Sequence, residues 1–211
     1  MATTIKKFTA TSVFGDGDGE FTVVDFSRLS ATDLDLMTTT QAATLNSDYL
    51  AVLQASLISN LAKVFTSIPS DAINGISTAA MVNLPITLLT SKQFPVLTED
   101  QIGALSSAQL AFLTSKQLGL LSTDQLGAIS EKSLVGLNIL NLKGDLVSKL
   151  PPEQFAKLTS TQVGALTSAQ LSTLDADHLD ALTINSATKV GNLAGLKVKW
   201  LSSDSISKLL P

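Results

Sequence analysis

Apolar residues recur along this chain with a period of eight. In residues 113–129, LTSKQLGLLSTDQLGAI, one phrase occurs twice with a step of eight residues. When each repeat is numbered from 1 to 8 and ends at the recurrent leucine, sixteen octads fit, and they lie in residues 30–53, 69–84, 90–137, 151–182 and 202–209. Positions 5 and 8 are apolar in all sixteen octads. A pattern of this regularity predicts a repeat architecture.

The polar positions of the octad have the spacing of a helix N-cap. Position 1 is Ser or Thr in twelve octads, and position 4 is Gln in nine. In Ser/Thr-x-x-Gln, the hydroxyl accepts a hydrogen bond from the amide of position 4, and the Gln side chain reaches back to the amide of position 1. These bonds satisfy backbone N–H groups that the start of a helix leaves unpaired. Each octad is therefore predicted to begin its own helix.

Two other structures fit a period of eight less well. In one long helix, eight residues turn through about 800°, so the apolar stripe would wind around the helix and face no single core. A β-solenoid requires alternating apolar residues, whereas positions 5 and 8 are three residues apart and share a helical face. The sequence therefore predicts an all-α solenoid of very short helices, each of one to one and a half turns, with positions 5 and 8 buried against neighbouring repeats. Small residues at position 6, such as Gly119, are expected to let adjacent coils approach closely.

Up to residue 182, the octads are interrupted in three places. Residues 54–68 have apolar residues at helical spacing and predict one longer amphipathic helix. The interval from Leu84 to Leu97 is thirteen residues, as is the interval from Leu137 to Leu150, and both inserts carry Ile then Leu. Two equal inserts predict a recurrent corner in the coil.

The N-terminal part of the chain differs in kind from the octads. Residues 5–14 are rich in β-formers, residues 20–26 alternate in part, and GDGDG lies between them. The pattern predicts a small β-hairpin with an acidic turn over residues 1–28. The octad solenoid is then predicted over 29–182, and an irregular segment that ends in a capping repeat over 183–211.

The acidic turn is the one candidate ligand site. GDGDGEFTVVD resembles the calcium loop of EF-hand and dockerin proteins, which implies Asp16, Asp18 and Asp25 as side-chain ligands and Glu20 as a carbonyl ligand. The first ligand position holds Phe14 instead of Asp, and the last holds Asp instead of a bidentate Glu, and both departures weaken calcium binding. Asp-Gly is also a common pair in plain hairpin turns. A plain turn and a calcium site both stay open.

Composition and motifs argue against several functional classes. A net charge of −4 and a pI of about 4.9 lack the basic footprint of a nucleic-acid binder. No run of 18 apolar residues predicts a transmembrane segment, and the absence of cysteine excludes disulfides and thiolate sites. The single histidine, His178, is at position 4, where it is predicted to cap like Gln. No phosphate loop, dinucleotide fingerprint or nucleophile elbow occurs, so no catalytic or other cofactor-binding residue is predicted.

The octads resemble Leu-Thr-x-x-Gln-Leu-x-x repeats of large secreted and surface proteins of bacteria, over 128 of the 211 residues. The resemblance implies a non-enzymatic structural or adhesive cell-surface protein. Its sharpest form is a self-assembling subunit of a surface layer or filament, whose partners are copies of itself or another cell-surface component. Because MATTIKKFTATSVF lacks the apolar core of a signal peptide, export is expected by a route without one. The alternative is a cytoplasmic solenoid scaffold that binds a protein or peptide.

Substitutions at two adjacent positions test the octad interpretation. Leu118→Asp is expected to unfold the array, because an unpaired charge in the core is expensive. Gln117→Ala is expected to lower the free energy of unfolding by only about 1 kcal/mol, as the loss of a cap does. Urea denaturation followed by circular dichroism measures both effects. Equal tolerance of the two substitutions would contradict an octad built as one capped helix with inward anchors.

Overall fold

Short helices make up all the regular secondary structure of the described residues. The computed structural model describes residues 22–142 and 144–183. The chain divides into two compact units, Met1–Ala104 and Leu105–Pro211. Within the described residues, the α-helices are four to eight residues long and are interspersed with 3-10 helices. The all-α prediction with very short helices is confirmed over these residues.

The N-terminal unit contains both types of helix. Its α-helices are Val23–Ser27, Ala31–Asp35, Thr39–Ala42, Ser47–Ala51, Thr78–Met81 and Glu99–Gly103. Its 3-10 helices are Ala55–Leu61, Phe65–Ser67, Ser70–Gly75, Ile86–Leu88 and Phe94–Val96. The prediction of one longer helix over 54–68 is wrong, because two 3-10 helices occupy this segment and each brings its own buried pair, Ile58 with Leu61 and Phe65 with Ile68, to the core.

The helices of the C-terminal unit, over its described residues, are mainly α-helices. Its α-helices are Ser107–Ala111, Ser115–Leu118, Thr123–Gly127, Glu131–Leu134, Pro152–Phe155, Ser160–Ala165, Ser168–Leu171 and Ala176–Thr183. Its 3-10 helices are Ile139–Asn141 and Gly144–Lys149.

Capping boxes start most of the α-helices, as the octad predicts. The hydroxyl of Ser106 accepts from the backbone N–H of Gln109 at 3.3 Å, and Oε1 of Gln109 accepts from the backbone N–H of Ser106 at 2.9 Å. The same reciprocal pair begins at Thr22, Ser30, Thr38, Thr98, Thr114, Ser122, Thr159 and Thr167. Position 1 is therefore the N-cap, and the helix follows from position 2.

The array begins one octad earlier than the sequence predicts. Residues 22–29 form a complete repeat, with Thr22 as N-cap and Phe26 and Leu29 buried at positions 5 and 8. The second predicted strand of the hairpin, over 20–26, is therefore wrong from residue 22 onward. The physical reason is that Asp25 closes a capping box with Thr22, which starts a helix inside an apparently alternating segment. The first predicted strand and the GDGDG turn lie outside the described residues.

The core is a stripe of three positions in each repeat. Residues 54–61, 62–68, 85–89, 138–142 and 143–150 also count as repeats when each is numbered back from position 8 at its last residue. All but four of the buried apolar side chains then occupy position 5 or position 8, and those four, Tyr49, Val64, Ala72 and Ala80, occupy position 4. Positions 4, 5 and 8 lie on one face of a helix, because residues three and four apart are neighbours there. Burying one large aliphatic side chain contributes about 1.5–3 kcal/mol, so each repeat brings two such contributions to the core.

Each thirteen-residue interval contains one shortened block of five residues, 85–89 or 138–142. Here "block" means any repeat, whether of full length or shortened. In each short block a single 3-10 turn places an Ile and a Leu in the core, Ile86 with Leu89 and Ile139 with Leu142. The pair keeps the spacing of positions 5 and 8, and the first three residues of a full octad are missing. The predicted recurrent corner is therefore a shortened block.

Within each unit, helices pack against blocks three places away along the chain. Block 22–29 packs on 46–53 in the N-terminal unit, and block 151–158 packs on 175–182 in the C-terminal unit. At the first of these contacts, the rings of Phe26 and Tyr49 meet edge to face with their centroids 5.4 Å apart. The other packed helix pairs have the same spacing of three blocks. Each unit is therefore a coil whose layers are about three blocks apart.

Backbones approach most closely at glycines of position 7, and not at position 6 as predicted. A Cβ atom added to Gly75 would lie 2.7 Å from the Cα of Ser47, and one added to Gly136 would lie 2.7 Å from the Cα of Ser107. At Gly119, a position-6 glycine, the nearest atom would be the carbonyl oxygen of Ser115, at 3.2 Å. The absence of a side chain is therefore required at position 7 of these two blocks.

Alanine substitutions test this difference in the C-terminal unit. Gly136→Ala is expected to lower the free energy of unfolding by about 1–3 kcal/mol, because the new methyl group must displace the backbone of Ser107. Gly119→Ala is the matched control and is expected to be neutral or stabilising by up to about 1 kcal/mol, because alanine restricts the unfolded chain. Thermal and urea unfolding measure both, and a neutral Gly136→Ala would refute the close approach.

Candidate functional site

Buried polar side chains occur at position 4 and at no other position of the described blocks. They are Asp25, Gln93, Gln101, Gln109, Gln125, Ser133, Gln154, Gln162, Gln170 and His178. A buried polar group needs hydrogen-bond partners, so position 4 is where chemistry in the interior has to be sought. We call this set of residues the position-4 ladder.

Gln162 shows how one side chain serves two blocks. Its Oε1 accepts from the backbone N–H of Thr159 at 2.9 Å, which completes the capping box of its own helix. Its Nε2 donates to the backbone carbonyls of Leu134 and Leu137 at 2.8 and 2.9 Å. These carbonyls belong to positions 5 and 8 of block 130–137, which lies four blocks earlier. The side chain therefore joins the start of one helix to the end of another.

The same paired donation recurs at other rungs of the ladder. Gln93, Gln101 and Gln170 each donate through Nε2 to two carbonyls four blocks earlier, and the acceptors are, in order, Phe65 and Ile68, Ile73 and Ile76, and Ile139 and Leu142. The N···O distances are 2.7–2.9 Å. Because helices pack three blocks apart and these bonds span four, each unit turns once in between three and four blocks.

At Gln154, the capping half of the arrangement is missing. Nε2 donates to the carbonyls of Gly127 and Ile129. Oε1 is buried and has no hydrogen-bond partner, the one such side-chain atom among the described residues. The reason is that position 1 is Pro151, which has neither a backbone N–H nor a hydroxyl.

The first blocks use carboxylates at position 4. Oδ2 of Asp25 accepts from the backbone N–H and the hydroxyl of Thr22 at 2.9 and 2.8 Å. An ionised carboxylate can cap a helix in this way but has no N–H to donate to another block. Burial raises the pKa of Tyr49, and the charges of Asp25 and Asp48 raise it further.

One of the four predicted calcium ligands lies within the described residues, and the other three do not. Asp25 lies in the capping box described above, at 5% exposure. Asp16, Asp18 and Glu20 lie outside the described residues. Within the described part of the chain, no group of three or more His, Asp or Glu side chains is placed to hold a metal ion. Calcium binding therefore stays a prediction from the sequence.

His178 occupies the last described rung. Its Nε2 lies 3.0 Å from the carbonyl oxygen of Leu150, four blocks earlier, and its Nδ1 lies 2.6 Å from Oδ1 of Asp175. The predicted capping role is corrected in one respect. Oδ1 of Asp175 accepts from the backbone N–H of His178 and makes the cap, while the His ring makes the link to the earlier turn. The hydrogen bonds from His178 lower the pKa of Asp175.

Sequence reasoning found the caps but missed the second function of Gln. The signal is present in the choice of amide. A capping box accepts Glu as readily as Gln, yet none of the sixteen octads has Glu at position 4. Only the amide adds an N–H donor, and that donor is what binds the earlier block.

Comparison with known proteins identifies a repeat protein. A family model described as the ALTTAQ repeat matches residues 100–131, which include three of the octads with Gln at position 4. No curated protein and no solved structure matches the chain. No helix in the described residues has the length and apolar character needed to cross a membrane.

A Gln-to-Glu substitution separates the two functions of the ladder. Gln162→Glu keeps the cap, but it removes both donors and places a carboxylate against the carbonyls of Leu134 and Leu137. We expect it to lower the free energy of unfolding by about 2–4 kcal/mol, since each lost bond costs about 1 kcal/mol and the carbonyl of Leu137 loses the donor that Gln162 supplies.

Gln41→Glu is the matched control. Gln41 makes the capping box with Thr38 in an early block, and within residues 22–142 and 144–183 its Nε2 makes no bond to another block. This substitution is expected to change stability by less than about 0.5 kcal/mol. Equal losses at Gln41 and Gln162, measured by urea unfolding, would mean that the amide donors contribute nothing.

Proposed function

We propose that this chain is a non-enzymatic structural or adhesive protein of the bacterial cell surface, and that it assembles with copies of itself. The proposal rests on how the side chains divide between the interior and the surface. The described polar groups of the interior bind backbone groups, as the donors of Gln101 and Gln162 do. A chain whose buried polar groups serve its own backbone interacts with other molecules through its surface.

Three exposed apolar side chains on adjoining blocks carry the proposal of self-association. Phe112, Val135 and Leu140 are 68%, 56% and 50% exposed, and we call them the Phe112 patch. Their blocks adjoin, because helix Ser107–Ala111 packs on Glu131–Leu134, and Nδ2 of Asn141 donates to the carbonyl of Leu113 at 2.7 Å. Exposed aromatic and aliphatic side chains that lie together are typical of protein–protein contacts.

The composition of the surface supports a structural role. Ser and Thr supply position 1 in twelve of the sixteen octads, while charged residues make up only 15% of the chain. A surface of neutral hydroxyls has little charge repulsion to prevent close packing of like chains. Calcium at the acidic turn is a further element of the proposal, with Asp16, Asp18, Glu20 and Asp25 as ligands.

Light scattering and electron microscopy of the purified protein test the assembly. We expect concentration-dependent association into filaments or a lattice, weakened at least tenfold by Phe112→Ser, which corresponds to about 1.4 kcal/mol. Leu36→Ser is the matched control, because Leu36 is also at position 7 and is 58% exposed but belongs to the N-terminal unit.

Two observations would contradict the proposal. One is that the protein stays monomeric at every concentration. The other is that protease added to intact cells of the source bacterium leaves the protein uncut. Together they would favour the cytoplasmic scaffold. A chelator that leaves both size and melting temperature unchanged would remove calcium from the account without affecting the assembly proposal.

A further inference from the structure

Block 175–182 departs from the chemistry of the ladder. It has Asp at position 1 and His at position 4, where the regular blocks have Ser or Thr and Gln. His178 is the only histidine of the chain, and its ring is buried, at 3% exposure. The His178 ring meets the ring of Phe155 edge to face, with the two ring centroids 5.5 Å apart. The ring is thus held in place by packing as well as by its polar contacts.

Both nitrogens of this ring face hydrogen-bond acceptors. Nδ1 lies 2.6 Å from the carboxylate of Asp175, and Nε2 lies 3.0 Å from the carbonyl oxygen of Leu150. A backbone carbonyl has no proton to donate, and an ionised carboxylate has none either. A neutral imidazole carries one N–H, so in either tautomer one nitrogen lone pair would face an acceptor. The doubly protonated ring pairs both contacts.

We propose that His178 is a pH-sensitive link between block 175–182 and Leu150, four blocks earlier. The doubly protonated ring holds the two blocks together, and the link is weakened when the ring loses a proton. A Gln at this position donates through an amide that does not titrate near neutral pH. The Asp–His pair therefore makes this rung depend on pH while the Gln rungs do not. The inference concerns the fold itself and is independent of the proposed surface function.

The charged group in contact with the ring is the carboxylate of Asp175. Asp175 supplies the direct counter-charge, and the lowered pKa of this carboxyl keeps it ionised through the neutral range. The other charged side chains on the surrounding elements are Glu153 and Lys157 in block 151–158, Asp145 and Lys149 in the 3-10 segment, and Asp177 and Asp180 on the same helix. The polar contacts of the ring nitrogens are those with Asp175 and Leu150.

The two partners limit the rung at opposite ends of the pH scale. If the doubly protonated ring gives up a proton, one of its two contacts loses its donor. When pH falls through the lowered pKa of Asp175, the carboxylate is neutralised and the stability that it adds above its ordinary value of 3.8 is lost. The rung is therefore strongest where the ring is doubly protonated and Asp175 is ionised.

Nuclear magnetic resonance tests the charge state directly, because the full chain has one histidine. The ¹⁵N shifts of the ring are expected to show two protonated nitrogens at pH 6, and the amides of helix Ala176–Thr183 are expected to lose protection from hydrogen exchange as the ring titrates. Between pH 6 and pH 8, the loss is expected to be roughly 5- to 30-fold. A neutral ring in the folded protein at pH 6 would overturn the proposal.

A double substitution to the regular sequence is the matched control. Asp175→Thr with His178→Gln restores the Thr-x-x-Gln of other blocks, and the same helix is then expected to keep its protection from pH 6 to pH 8. Both proteins share every other titrating group, so the difference between their pH profiles belongs to this rung. Identical profiles for the two proteins would also overturn the proposal.

Discussion

The fold depends on pairing the backbone groups that a very short helix leaves free. A helix of four or five residues forms almost no internal hydrogen bonds, because its first four N–H groups and last four carbonyls have no partner within it. Position 1 and the carbonyl end of Gln satisfy donors at the start of the helix. The amide end of a Gln four blocks later satisfies acceptors at the end of it, as Gln162 does for Leu134 and Leu137. Through this one side chain, the stability of a helix depends on the layer that packs against it.

In this pairing, the number of blocks between donor and acceptor is constant, whereas the number of residues between them varies. Gln93, Gln101 and Gln162 reach acceptors 25 and 28 residues back, whereas Gln170 reaches 28 and 31 residues back. The difference of three equals the residues missing from a short block. Such a block lies wholly between donor and acceptor for the first three Gln residues, whereas for Gln170 the short block itself supplies the acceptors. The inserts are therefore tolerated because they keep the Ile and Leu that define a layer.

The sequence predicts the parts of this fold that are set by local chemistry. Caps at position 1 and anchors at positions 5 and 8 follow from residue type and spacing, and both are confirmed. The segment at 22–26 misled the prediction because partial alternation resembles a strand, while the Thr22–Asp25 cap that decides it is a single side-chain pair. The contacts between layers could not be predicted, since they depend on how many blocks make a turn. The number of blocks in a turn also determines that Gly136, at position 7, faces Ser107.

An interior that pairs its own backbone leaves the outward positions free to vary. Positions 2, 3, 6 and 7 supply none of the buried side chains of the described blocks. Phe112 is at position 7 of a block whose inward residues, Gln109, Leu110 and Leu113, are all buried and conform to the repeat. The side chain of Phe112 is exposed and lies outside the buried set that holds this block. It is therefore available for the self-association proposed above, because an outward position can change without disturbing the pairing that holds the repeat.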